Sequence, residues 1–288
     1  MSRRSRPIGV LPWALAFLVF GLVPLAYALG LSLLEYNPLR PDRVTWVGLG
    51  NYADALHSGS FWRSLRTTAF FVVGTLPFTM TLAYGVAALL SRARRGETFF
   101  RAAIFFPATL SMVVIALVFK SLYAEEGLFN GWLAAAGAGR VHFLQDTRLA
   151  LPSIMAMDIW SSVGYYAILM LAGRKTLPED QLEAARLEGL SAWEVERRIV
   201  FPHLRPVLLF VVLLNTIRSF QIFIEVFVLT RGGPLESTLT LVYHLYDRAF
   251  YHFEMGYASA LAFLLLLFVG ALLLLQRRFL GERAEAAR

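Results

Sequence analysis

Long apolar runs separated by short polar segments repeat along the whole chain. A membrane-crossing helix needs about 20 mainly apolar residues. Six stretches have that character: 10–34, 69–90, 102–119, 150–173, 206–229 and 257–275. A buried helix of a soluble protein could account for one such run, but not for six in 288 residues. Asp158 and Arg218 interrupt the fourth and fifth runs, and Pro24, Pro77 and Pro107 fall inside the first three. Prolines are tolerated in lipid because neighbouring helices can satisfy the freed backbone groups. The pattern predicts an all-α polytopic membrane protein, one domain over 1–288 with six transmembrane helices.

The most highly charged interruption, 174–205, reads as two short helices around a turn. Pro178 suits a first helical position, and Glu179 and Asp180 suit the positive N-terminal end. Gly189 is placed as a C-terminal stop. Ser191-Ala-Trp-Glu194 then fits a capping box that opens the second helix. On that helix Ala192, Val195 and Ile199 share one face and Trp193, Arg197 and Val200 another, and Pro202 is expected to end or kink it. A solvated connector needs neither a stop glycine nor a cap, so a docking element for a partner fits better.

Composition sharpens the membrane reading. The chain is 57% hydrophobic and only 16% charged, with mean hydropathy +0.58, well outside the range of an ordinary globular domain. Net charge is +7, yet no basic block is longer than Arg92-Ala-Arg94-Arg95, so the charge reads as flanking the spans and nucleic acid is not an expected partner. With the N-terminus inside, most of the 27 Lys and Arg residues fall on the inner side. They are Arg3, Arg4 and Arg6; Arg92, Arg94, Arg95 and Arg101; Arg174, Lys175, Arg186, Arg197, Arg198 and Arg205; and Arg277, Arg278, Arg283 and Arg288. Both termini and the 174–205 segment are then cytoplasmic. MSRRSRPIGV is read as the start of an uncleaved first span rather than as a secretory or twin-arginine leader. Absence of cysteine excludes disulfides, thiolate chemistry and cysteine-based metal sites.

Midspan charges are expensive, about 2.5–3.5 kcal/mol on insertion scales, so Asp158 and Arg218 should face the protein interior or a water-filled path. They are expected to pair with each other across spans four and five, with Glu225 involved. The alternative is that Arg218 reads an anionic substrate.

Glu183-Ala184-Ala185, Gly189, Ile199 and Pro202 together resemble the EAA loop of ATP-binding-cassette importer permeases: EAA, three residues, Gly, nine residues, Ile, any, Leu, Pro. Phe201 stands where Leu is usual and keeps the apolar character. The resemblance continues over most of the chain and is sharpest for permeases of the maltose and glycerol-3-phosphate class. Trp46-Val-Gly-Leu-Gly-Asn51-Tyr52, Arg101 with Pro107, and Gly127-Leu-Phe-Asn130 are similar to segments of that class. So are Thr230-Arg-Gly232-Gly233-Pro234, Thr238, Tyr246, Ala249-Phe250 and Gly256-Tyr257-Ala258. Trp160 stands twenty-three residues before Glu183, as in maltose-type subunits.

The resemblance implies a type I importer permease fold. It implies a non-catalytic subunit that translocates a sugar or sugar derivative, with glycerol-3-phosphate or another polyol phosphate as the alternative cargo. The implied partners are a second permease subunit, an ATPase dimer that carries the ATP and magnesium, an extracytoplasmic solute-binding protein and the lipid bilayer of a bacterial or archaeal plasma membrane. No cofactor is expected on this chain. Glu183, Ala184, Ala185, Glu188, Gly189, Ile199 and Pro202 are matched to the loop that docks on the ATPase. Trp160, Ser162 and Tyr165 before the loop, and Asn215, Ser219 and Gln221 after it, are matched to the midmembrane sugar site. Aromatic faces and hydroxyl or amide groups suit sugar rings, and Asn215 and Ser219, four apart, share a helix face. Ser219 replaces the Asn of the maltose subunit, so maltose itself is not implied.

Two other classes fit less well. A secondary transporter would favour internal repeats and several intramembrane carboxylates; no repeat is visible, and only Asp158 is clear, with Glu225 nearer a membrane face. A membrane enzyme would cluster its His and acidic residues, whereas His57, His142, His203, His244 and His252 are scattered without metal-ligand spacing. No G-x-x-x-x-G-K-[ST] phosphate loop occurs, so ATP hydrolysis would belong to a separate subunit.

Overall fold

The structure is a computed structural model describing residues 11–92 and 95–285, with Arg186 and 279–285 described by their backbone alone. Expectations for Arg3, Arg4, Arg6, Arg94 and Arg288, and for the first residue of span one, lie outside the described residues. In chain order the elements are α1 (Leu11–Ser32), β1 (Leu34–Glu35), β2 (Thr45–Trp46), α2 (Gly50–His57), α3 (Gly59–Arg92), α4 (Glu97–Thr109) and α5 (Met112–Leu122). They continue with α6 (Leu128–Ala135), α7 (Ala150–Arg174), α8 (Glu179–Leu187), α9 (Ala192–Val195), α10 (Phe201–Phe220), α11 (Ile224–Leu229), α12 (Leu241–Tyr246) and α13 (Met255–Glu285).

Among the described residues, one compact unit comprises 11–62 with 244–267. Its α1 buries none of its apolar window, as expected of a helix whose solvent is lipid. The antiparallel pair β1–β2 sets Leu34 opposite Trp46. The Asn51 side chain donates to the carbonyls of Ser32 and Leu34, both at 2.9 Å, and the Tyr52 hydroxyl meets Ser32 Oγ at 2.7 Å. Gly256 lies so close that a Cβ there would fall on the same Leu34 carbonyl oxygen. The Asn51-Tyr52 and Gly256-Tyr257-Ala258 segments, two hundred residues apart in sequence, thus secure one stretch of backbone.

The other unit comprises 63–92 and 95–243 with 268–285. Helix α7 is its most enclosed span, with 61% of its window buried. Gly164 lets α4 approach until a Cβ would collide with the Ile104 carbonyl. Tyr166, Ala167 and Met170 of α7 pack with Ala83 and Ala87 of α3 and with Val211 of α10. After α11, the Thr238 hydroxyl donates to the Gly233 carbonyl at 2.7 Å and meets Thr230 Oγ1 at 2.8 Å, closing the turn that leads to α12.

Several predicted boundaries change. The third run, 102–119, is not one helix: α4 and α5 meet at 92°. Pro107 has no N–H to give to the preceding turn, and the chain turns extended at Leu110 and Ser111 before α5 begins. The fifth run, 206–229, breaks at Gln221–Phe223 between α10 and α11. The second and sixth runs lie within longer helices, α3 of 34 residues and α13 of 31, and the first ends at Ser32 because Leu34 enters β1. Pro202 does not end the helix it follows. A wide π turn, Glu196–Val200, joins α9 to α10, and Pro202 sits in the first turn of α10, where a missing N–H costs nothing. The extra residue in that turn rotates the chain, so Val200 is 4% exposed while Trp193 is 71% exposed, and the two do not share a face.

Candidate functional site

The segment from Arg174 to Leu204 is a capped helix–turn–helix. Helix α8 presents Glu183 and Ala184 outward and buries Ala185, and Glu188, just past its end, is exposed. It ends as expected: Gly189 has φ +76, and Leu190 N–H returns to the Ala185 carbonyl at 3.1 Å. The Ser191 hydroxyl accepts from Glu194 N–H at 3.3 Å while the Glu194 carboxylate accepts from Ser191 N–H at 3.0 Å, the reciprocal cap expected of that tetrapeptide. Leu182, Val195 and Ile199 pack on Leu177, Val200 and Leu204, which is the apolar footing of the unit.

Sequence reasoning missed the residue that anchors this footing. Glu196 lies in the π turn and is 8% exposed. Its carboxylate accepts two bonds from the Arg174 guanidinium, one of them at 2.9 Å, and one from the Tyr84 hydroxyl at 2.5 Å, with Arg92 Nη2 3.9 Å away. Read linearly, Glu196 is one more charge in a solvated run; only the π turn aims it inward. Lys175 adds a second tie, donating to Glu97 of α4 at 2.6 Å. Held this way, the segment offers a rigid surface of exposed charge around Leu187 and Trp193.

The second feature is a cavity of about 610 Å³ whose wall includes Pro107 and Leu110 of the α4–α5 elbow, Ser161, Ser162, Tyr165 and Tyr166 of α7, and Arg218, Gln221 and Glu225. Ser162, Tyr165 and Gln221 are thereby brought together. Trp160 does not line the cavity; it packs on Phe119 at 5.3 Å between ring centres and is half exposed. Asn215 and Ser219 do share a face, but both are buried, and the Ser219 hydroxyl donates to Asn215 Oδ1 at 2.9 Å. Their polar groups serve α10 rather than the cavity wall.

Arg218 Nη2 stands 3.1 Å from Asp158 Oδ1, so α7 and α10 are joined by the expected pair. Asp158 is buried behind the wall, while Arg218 reaches the cavity. Glu225, which the sequence places nearer a membrane face, lines the same cavity and is 6% exposed. Among the described residues, no three His, Asp or Glu side chains come together in a way that could hold a metal ion.

Residues 76–281 match the family described as "Binding-protein-dependent transport system inner membrane component". The chain belongs to this family. The match runs from within α3 to within α13, so it takes in both the capped segment and the cavity. Among relatives of this inner-membrane component, a probable ABC transporter permease protein, YurN of Bacillus subtilis (strain 168), is 33% identical over 277 residues, covering 94% of each chain. The lactose transport system permease protein LacF of Rhizobium radiobacter is 32% identical, covering 92% of this chain and 90% of the relative. The trehalose/maltose transport system permease protein MalF of Thermococcus litoralis is 30% identical, covering 88% and 86%. The fold is also that of a bacterial ABC transporter involved in import of the acidic polysaccharide alginate, with TM-score 0.84 at 19% identity over 96% of this chain and 94% of that one.

Proposed function

We propose that this chain is a non-catalytic permease subunit of an ATP-binding-cassette importer and passes a sugar or sugar derivative across the membrane. The observation that carries this reading is the anchored, capped segment around Gly189 and Glu196, set between spans in a member of this transport family. A surface that rigid and that charged suits docking of a separate ATPase, which would carry the ATP and magnesium. A second permease subunit and a solute-binding protein complete the assembly. Both termini and the docking segment lie on the cytoplasmic side of a bacterial or archaeal plasma membrane, in keeping with the distribution of Lys and Arg. Relatives that carry lactose and trehalose or maltose support a glycan cargo.

In this reading ATP binding closes the ATPase dimer, which draws the docked segments together and opens the pathway outward; hydrolysis resets it. Such coupling needs contacts that differ between the two states. The test is a reconstituted complex of both permeases, the ATPase and the binding protein, assayed for stimulation of ATP hydrolysis across a panel of sugars. Stimulation by at least one glycan is expected. A complex that assembles and hydrolyses ATP but responds to none would reject the sugar assignment.

A further inference from the structure

The cavity wall has a charge balance that bears on what can pass. It holds one guanidinium, Arg218, already compensated at 3.1 Å by Asp158 from behind the wall. It also holds a second carboxylate, Glu225, that makes no ion pair among the described residues. Glu225 sits in the first turn of α11, where an acidic group is tolerated, but that position does not require it to face the cavity. With both carboxylates ionised, the trio carries one net negative charge.

A phosphate or carboxylate entering this space would shed water and find no unspent cation among the described residues of the wall. Hydroxyl and ammonium groups would find a strong acceptor in Glu225, and groups of both kinds in Ser162, Tyr165 and Gln221. We propose that Glu225 is a specificity-determining residue, and that the cavity admits uncharged or amine-bearing glycans while excluding sugar phosphates and uronates. The proposal rests on the transport reading above and narrows its cargo.

The chain has no cysteine, which makes the charge preference directly measurable. Gln221→Cys puts a thiol on the cavity wall, and Leu235→Cys, at a site 89% exposed, supplies the reference. Each variant, in the assembled complex, is reacted with a cationic trimethylammonium and an anionic sulfonate methanethiosulfonate, and modification is read from the mass of this chain. The ratio of cationic to anionic rate at Gln221→Cys, divided by the ratio at Leu235→Cys, is expected to be about tenfold or more, the enrichment a fixed charge produces in a low-dielectric cleft. Adding Glu225→Gln should bring it close to unity. Adding Asp158→Asn and Glu225→Gln together leaves Arg218 as the lone charge and should invert it. A ratio at or below unity in the parent, or one unmoved by Glu225→Gln in a complex that elutes intact, overturns the proposal. No substrate enters these rates, so they stand or fall separately from the transport reading.

Discussion

Arg174, the last residue of α7, grips both carboxylate oxygens of Glu196 in the π turn before α10. The two side chains are 9% and 11% exposed, so the pair is held away from water, and the Tyr84 hydroxyl of α3 completes the carboxylate's bonds. The charged segment is thus bolted to two spans at its base, while its outer face stays free for a partner.

Glu196→Ala should leave the Arg174 guanidinium buried and unpaired, at a cost of about 3–5 kcal/mol. Thermal unfolding of the purified subunit would show it as a lowered midpoint, with Glu196→Gln falling less because one acceptor for Tyr84 or Arg174 survives. A midpoint equal to the parent's for Glu196→Ala would mean the contact is not structural.

Gly189 has open space around its Cα, so its requirement is conformational: φ +76 is strained for any residue with a Cβ. Gly189→Val should cost about 1–3 kcal/mol locally and misplace α9 relative to α8. In the reconstituted complex, sugar-stimulated ATP hydrolysis should be lost while the subunit still inserts. Normal stimulation would remove this turn from the coupling path.

Gly164 and Gly85 form a matched pair of controls. A Cβ at Gly164 meets the Ile104 carbonyl, whereas one at Gly85 meets nothing. Gly164→Ala should destabilise by about 1–3 kcal/mol as α4 is pushed from α7, and Gly85→Ala should be neutral or stabilise by about 0.5–1 kcal/mol. Midpoints from detergent-solubilised protein decide both.

Asp158→Asn strips Arg218 of its ion-pair partner. Arg218 keeps 39% of its side chain exposed to the cavity, so the loss should be below that of a sealed pair, about 1–3 kcal/mol. The Asp158→Arg/Arg218→Asp exchange should recover part of it. An Asp158→Asn variant that folds and transports as the parent does would leave the pair without a role.

Legibility followed the range of the interaction concerned. The stop at Gly189 and the cap at Ser191 depend on residues within five positions of each other, and both are readable as strings. Span three read as continuous because hydropathy does not register the change of direction at Leu110 and Ser111. Asn215 and Ser219 share the helix face that their spacing gives them, but periodicity does not say whether that face meets a cavity or its own bond.

The sequence by itself determined that the chain spans a membrane repeatedly, that its charged segment is a capped helix–turn–helix, and which family it resembles. These follow from apolar run length, backbone capping and motif spacing, which are local in the chain. Tertiary structure decided that Glu196 is an anchor, that Arg218 and Glu225 share a cavity from which Asn215 and Ser219 are turned away, and that Gly256 and Asn51 secure the same Leu34 carbonyl. Each of those depends on helix rotation, a π turn or a close backbone approach, and these are set by packing between segments distant in sequence.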